Sequence, residues 1–328
     1  MALGEFSLID RFFARRAPGN TLGVGDDAAR IELPAATALV ICKDLLIEGH
    51  HFFADVAPDT LGHKALAVNL SDLAAMGAQP LGCLLGLGIP KPEEDWLESF
   101  ARGFHALSDQ AQCPLLGGDT VRHEHGVLIS VTAFGTLPLS HPGLRRSAAK
   151  VGDDLWVSGA LGAADIALSL LRGELPADSE LLAQVRPALE SPNPRLSLGR
   201  ALLDLAHAAI DISDGLTQDL SHVLKASHCG AVIDLASLPA HPALSKLSPA
   251  RVLSAMLHGG DVYELCFTAD PSNRHAIAAL SGQLMVPLTK IGQITSQPGL
   301  FARHGNGQQI PLTTRGFDHF AGQPSHDQ

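Results

Sequence analysis

Aspartates recur in this chain at the ends of apolar runs. Asp26 and Asp27 stand in GVGDDAA, Asp44 in ICKDLL, Asp72 in NLSDLAAMG, Asp119 in LLGGDT, and Asp211 and Asp214 in AIDISDG. A single aspartate in such a place is a helix cap or a turn residue. A series of them, following strands or sitting inside an apolar helix, points instead to a shared ligand, because strand ends are where α/β folds hold their ligands. Asn69 and Asp72 fall at helical spacing i, i+3 and share one face of an otherwise apolar segment. A carboxylate there must be paired or metal-bound, since an unpaired buried charge is expensive. Lys43 and Asp44 are adjacent, so in a strand their side chains point to opposite faces and do not form a simple pair.

Many carboxylates and few bases suit hard cations such as Mg²⁺, which take oxygen ligands and bridge them to phosphates. In phosphoryl transfer the metals neutralise charge while the protein positions the reactants. A carboxylate pair for glycoside hydrolysis is the competing use, but nothing in the spacing selects two of these acids as a pair. The common phosphate loops are absent: no G-x-x-x-x-G-K-[ST] occurs, and GVG at 23–25 is too short for G-x-G-x-x-G. VSGALGAAD (157–165) sets glycines between a strand and a helix and suits an ordinary turn as well as an anion.

These residues need a scaffold, and the composition bounds it. The 328 residues exceed what one core usually covers, so two domains are expected. With 46% hydrophobic and 17% charged residues the chain reads as globular. A net charge of −11 and 5% aromatics argue against nucleic-acid binding, which wants a basic face and stacking rings. Cys42, Cys83, Cys113, Cys229 and Cys266 stand singly in apolar runs and read as free thiols of a reducing compartment. No secretory signal or apolar run of the ~18 residues needed for a membrane span is present, so no membrane association and a cytoplasmic location are expected.

Apolar runs predict strands over 37–43, 81–88, 113–118, 127–136, 153–158, 208–212, 230–235, 262–268 and 287–294. Helical spacing or helical starts mark 59–77, 92–111, 161–173, 194–207, 216–227 and 272–282. The mixed order predicts α/β or α+β layers with some antiparallel pairing. The stretch PLSHPGLRRSAAKVG suggests a boundary, dividing the chain into 1–140, 141–320 and a mobile tail at 321–328; 174–195 reads as an excursion within the second domain.

GEFSLI, GVGDDAA, DLLIEGHHF, KALAVNLSDLAAMGA, LLGGDT, RRSAAKVGD, AIDISDGL, YELCF and RGFDHF occur in an order and spacing that resembles the thiamine-monophosphate kinase family. This family belongs to an ATP-binding superfamily that includes aminoimidazole ribonucleotide synthetase. The resemblance runs from residue 4 to about 320 and implies an N-terminal α/β domain, binding ATP and Mg²⁺, whose strands build a barrel across a homodimer with flanking helices, followed by a C-terminal α/β domain. It implies ATP-dependent phosphorylation of thiamine monophosphate to thiamine diphosphate. By matching position, Asp27, Asp44, Asp72, Asp119, Asp211 and Asp214 would be Mg²⁺ ligands; Gly118, Asp119, Arg146 and Ser213 would touch ATP; His51, Asp261 and Phe317 would line the acceptor site.

That chemistry needs no general base, because a phosphate oxygen is already ionised, and direct in-line transfer is expected. The chain departs from the family pattern at Cys42-Lys43, where Ser/Thr-Thr is usual, at Asp261-Val262 in GGDVYEL, and at Thr314 and Phe317 near the end. Two alternatives stay open: another small-molecule ATP-dependent enzyme of the superfamily, and a ligand-binding homologue with impaired turnover. His50, His51, His123 and His125 match no zinc spacing and read as surface or substrate-facing residues, while Tyr263 and Glu264 read as structural.

Overall fold

The computed structural model describes residues 5–19, 21–24, 28–304 and 307–316. Asp27, Phe317 and the expected tail at 321–328 lie outside the described residues. The chain forms two compact units, one taking in 1–145 and 190–206, the other 146–189 and 207–328. In order the elements are α1 (Glu5–Leu8), β1 (Thr37–Ile47), α2 (Pro58–Met76), β2 (Gln79–Ile89), α3 (Glu94–Ala111), β3 (Leu115–Arg122) and β4 (Leu128–Pro138). Then come β5 (Asp154–Ser158), α4 (Ala163–Leu171), α5 (Ser179–Glu190), α6 (Leu196–Leu202) and β6 (Ala206–Asp211). The chain continues with α7 (Leu216–Ser227), β7 (Gly230–Asp234), α8 (Pro249–His258), β8 (Leu265–Ala269), α9 (Arg274–Leu284), β9 (Leu288–Thr295), β10 (Gly299–Arg303) and β11 (Gln309–Pro311).

In the first unit the strands form a four-stranded sheet in the order β1-β4-β2-β3, antiparallel except for the parallel pair β2–β3. The short turn from β3 to β4 therefore makes no hairpin, because β2 lies between them. Strand alternation splits the sheet into two faces. One face is buried through Leu46, Leu85, Ile129, Val131 and Ala133. The opposite face leaves Leu39, Ile41, Leu45 and Val121 between 43% and 57% exposed. The sheet is open within the described residues, with β1 and β3 as its edges.

Helix α2 is apolar almost all round and is accordingly buried. Pro58 sits in its first turn, and Gly77 ends it in the left-handed conformation, where Gly77 N–H donates to Ala74 O and Ala78 N–H to Leu73 O. Helix α3 is amphipathic and buries Leu97, Phe100 and Phe104. The two helices meet backbone to backbone: a Cβ on Gly62 would overlap the Phe100 carbonyl, and one on Gly103 the Asp59 carbonyl.

The second unit holds a seven-stranded sheet in the order β11-β10-β7-β9-β5-β8-β6, with β10–β7 parallel and β7–β9, β9–β5 and β5–β8 antiparallel. Its core gathers Leu155, Val157, Ile210, Leu220, Ile233 and Ile291. The expectation of mixed α/β layers holds in both units.

Several expected boundaries move. The first strand does not stop at residue 43 but runs to Ile47, because Leu45, Leu46 and Ile47 continue the ladder opposite Ser130, Ile129 and Leu128. Lys43 and Asp44 thus stand inside a strand. The helix expected over 194–207 ends at Leu202, and Ala206 already begins β6. Helices α5 and α8 were not expected, although Ser248 caps α8 and Pro249 follows it as a regular start signal.

Replacing Gly103 by alanine tests the helix contact. Helix propensity alone would favour alanine by about 1 kcal/mol, but the overlap with a backbone carbonyl costs about 1–3 kcal/mol and wins. Gly103→Ala should lower the melting temperature in calorimetry, whereas Ala106→Gly, at an exposed position of the same helix, would lower it only through propensity.

Candidate functional site

In the first unit, the even-numbered residues of β1 face α2. The Cys42 thiol donates to the backbone oxygen of Asn69 at 3.2 Å. Burial first, then the carboxylates of Asp72 and Asp44, push this thiol far above its ordinary range. Cys42 stays protonated, and the charges of Asp44 and Asp72 bear on the same spot. Asn69 is completely buried; its Nδ2 donates to Ala65 O at 3.3 Å, while its Oδ1 has no hydrogen-bond partner. Nearby in the chain, His51 Nδ1 accepts from Ile47 N–H at 3.1 Å, which puts the proton of a neutral ring on Nε2. The buried Lys64 ammonium donates to the His51 carbonyl at 3.4 Å.

Lys43 points to the other face of the sheet, as alternation requires. Its ammonium donates to Ser130 Oγ and, at 3.5 Å, to Thr132 Oγ1. It lines a cavity of about 1200 Å³ together with Gly117, Gly118, Asp119 and Thr120. Gly118 has φ +155°, and a Cβ there would overlap the Leu85 carbonyl, so only glycine lets β3 lie this close to β2 and carry Asp119 into the cavity. Val24, Ala28 and Ala29, which flank the position of Asp27, line the same cavity. The structure therefore separates the acidic positions of this unit: Asp44 and Asp72 on the helix side of β1, Asp119 on the open face.

In the second unit, β6 ends at Asp211, and the chain turns through Ser213-Asp214-Gly215 into α7. Ser213 is in this turn, not in the strand. The amides of Ser213, Asp214 and Gly215 all donate to one oxygen of Asp219, at 3.0, 3.0 and 3.1 Å. Asp219 has no role in the sequence-based site, because the amides that meet it belong to the turn before α7 and converge on it only once that turn has formed. Burial first, then the Asp214 and Asp211 carboxylates, push its carboxyl up to about 7, against the opposing pull of the amides. Asp261 joins this turn, donating its N–H to Ser213 O at 2.7 Å and accepting from the Tyr263 hydroxyl at 3.0 Å. Asp261 and Tyr263 both hold positive φ, 57° and 53°, a strained conformation for such residues. Arg315 N–H and carbonyl both bond Thr217 Oγ1, at 3.4 and 3.0 Å, so the residues preceding Phe317 lie on the first turn of α7. Arg146 is exposed in a single 3₁₀ turn whose carbonyl accepts from Ser227 Oγ.

Among the described residues no group of three or more His, Cys, Asp or Glu side chains is gathered tightly enough to hold a metal ion. The donors fall into smaller sets, and all are oxygens. The charges of Asp44 and Asp72 both bear on Cys42, and those of Asp211 and Asp214 on Asp219. Such sets fit a hard cation that keeps much of its water shell. All five cysteines are free thiols, and His123 bonds the Gly126 carbonyl of its own turn.

Asp219→Ala would leave three converging amides of a largely buried turn without their acceptor, a loss of about 1–3 kcal/mol. The variant should melt lower and lose activity, and Asp219→Asn, which keeps one acceptor oxygen, should recover part of both.

The chain matches the family model described as AIR synthase related protein, N-terminal domain, over residues 25–137, and that of the C-terminal domain over 150–305. It is 43% identical to the thiamine-monophosphate kinase of Escherichia coli strain K12 over 326 residues, covering 98% of this chain and 99% of that protein. The crystal structure of thiamine-monophosphate kinase from Stenotrophomonas maltophilia K279a is similar at 44% identity with a TM-score of 0.84, covering 94% of this chain and 98% of that one. The structure of AaThiL complexed with AMPPCP and TMP is similar at 28% identity and a TM-score of 0.76, covering 90% and 92%. With this identity along nearly its whole length, the chain belongs to the thiamine-monophosphate kinase family.

Proposed function

We infer that this enzyme transfers the terminal phosphoryl group of ATP to thiamine monophosphate, forming thiamine diphosphate. The observation that carries the reading is the grouping of its family-matched acids into all-oxygen sets, Asp44 with Asp72 and Asp211 with Asp214. The relative bound to AMPPCP and TMP supports the same pair of substrates.

Asp27, Asp44, Asp72, Asp119, Asp211 and Asp214 would hold Mg²⁺, with Gly118, Asp119, Arg146 and Ser213 toward ATP and His51, Asp261 and Phe317 toward the acceptor. Mg²⁺ held there would supply positive charge to offset the carboxylates and the phosphates. The chain's own part is positional. The three amides gathered by Asp219 fix the turn that presents Ser213 and Asp214. Tyr263 orients the Asp261 carboxylate. Neutral His51 would offer its Nε2–H to an acceptor phosphate oxygen. No side chain is needed to remove a proton, so transfer proceeds directly and in line, without a phosphoenzyme.

We also propose that the open face of the first sheet is covered by a second copy of the chain, closing a barrel across a homodimer. Leu39, Ile41 and Leu45 form an exposed apolar row on an edge strand, a surface of the kind that another chain covers.

Purified protein with ATP, Mg²⁺ and thiamine monophosphate should yield thiamine diphosphate, and no product from folded protein that binds ATP would favour an impaired binding homologue. Asp44→Asn should cut turnover about 100-fold or more, the scale lost with one charge-stabilising group. Lys43→Thr should remain active with an altered Mg²⁺ dependence, because its ammonium bonds hydroxyls on the face opposite Asp44.

Ile41→Glu would put a charge in the apolar row. Light scattering should then report a monomer where the wild type is a dimer; an unchanged dimer would rule out this face as the interface.

A further inference from the structure

We propose that Asn69 is part of the cation site formed by Asp44 and Asp72, its side-chain oxygen accepting a hydrogen bond from a water in the cation's shell. The inference rests on the reading of those two aspartates as Mg²⁺ ligands and adds to them a residue of a different type. Asn69 has no exposed surface and sits on α2 among the buried Leu66, Leu70 and Leu73. A buried carbonyl with no donor is unfavourable, so its retention at this point needs a partner.

The direction of the side chain is fixed by its own bond. Nδ2 donates to Ala65 O one turn back along the helix. The amide cannot be turned over, since Oδ1 against a carbonyl oxygen would repel. Oδ1 is therefore the branch facing away from Ala65. Asp72 lies one turn further on the same face. From the strand side, the Cys42 thiol donates to the backbone carbonyl of Asn69 at 3.2 Å, which brings β1, and with it Asp44 on the same strand face, against this turn of α2.

A bound water is the natural link. Asp44 and Asp72 are half-buried and can reach an ion directly, whereas Asn69 lies deeper. Mg²⁺ gives up its waters reluctantly, and their outward hydrogens need acceptors.

The test uses the full chain with Mn²⁺ as probe, titrated with AMPPCP present and followed by electron paramagnetic resonance, beside thermal melts of metal-free protein. Asn69→Leu should weaken Mn²⁺ binding about 10- to 100-fold, the range for lost outer-shell partners. Its metal-free melting temperature should match or exceed that of the wild type. Asn69→Asp, which keeps an acceptor and adds charge, should melt lower without metal and gain more than the wild type from Mn²⁺. Wild-type Mn²⁺ affinity in folded Asn69→Leu would overturn the inference while leaving Asp44 and Asp72 as ligands. If Asn69→Leu does not fold, Mn²⁺ binding by Asn69→Asp weaker than wild type would overturn it instead. A wild-type protein that binds no Mn²⁺ would remove the metal reading of the two aspartates, and the inference with it.

Discussion

Mutual repulsion among Asp211, Asp214 and Asp219 is the constraint around which the second unit is arranged. Burial of Asp219 beside two other carboxylates would by itself expel the charge. What keeps the group in place is the turn before α7, whose Ser213, Asp214 and Gly215 amides converge on a single Asp219 oxygen. The turn thus stabilises an inward carboxylate, which in the same act fixes the position of Asp214. The neighbouring segment is locked to that turn through Asp261 N–H and Ser213 O. Positive φ at Asp261 and Tyr263 concentrates backbone strain at the same point, held by the hydroxyl of the chain's only tyrosine.

The first unit handles its charges by alternation. A strand sends successive side chains to opposite faces, so Lys43 and Asp44 can be neighbours in sequence without neutralising each other. Asp44 is turned toward α2, where Asp72 and Asn69 lie, and Lys43 toward the hydroxyls of Ser130 and Thr132. Moving the register by one residue would exchange the two and place the lysine under the helix. The apolar residues on both sides of this pair, Val40 and Leu46 inward and Ile41 and Leu45 outward, settle which of them goes where.

This division was legible in the sequence, because period-2 alternation and the i, i+3 spacing of Asn69 and Asp72 are local properties. The mixed α/β layers were legible for the same reason. The roles of Asp219 and the separation of Asp119 from Asp44 were not. Asp219 matters through amides that only the formed turn before α7 brings together, and Asp119 is turned to the open face by a glycine whose need arises from contact with another strand. Strand order was equally hidden: β4 inserts between β1 and β2, a non-local pairing that the short link from β3 gives no hint of. Asn69 falls between these cases, since its place on the face was readable but its missing partner was not.

On the proposed reading, a chain of net charge −11 sets carboxylates where phosphates come, which excludes one route to binding them. Free phosphates would be repelled from Asp44, Asp72, Asp211 and Asp214, and a lysine-lined cleft of the P-loop kind is not present to offset that. The one lysine placed in the large cavity is tied to two hydroxyls on the far face of the strand. On the proposed reading, recognition and charge neutralisation would be a single event, in which the nucleotide enters together with its cations. An arrangement of this kind discriminates by hydration as much as by charge, because every carboxylate that reaches a cation leaves waters whose hydrogens must be received elsewhere. Buried acceptors with no partner in the metal-free protein are what such a site requires.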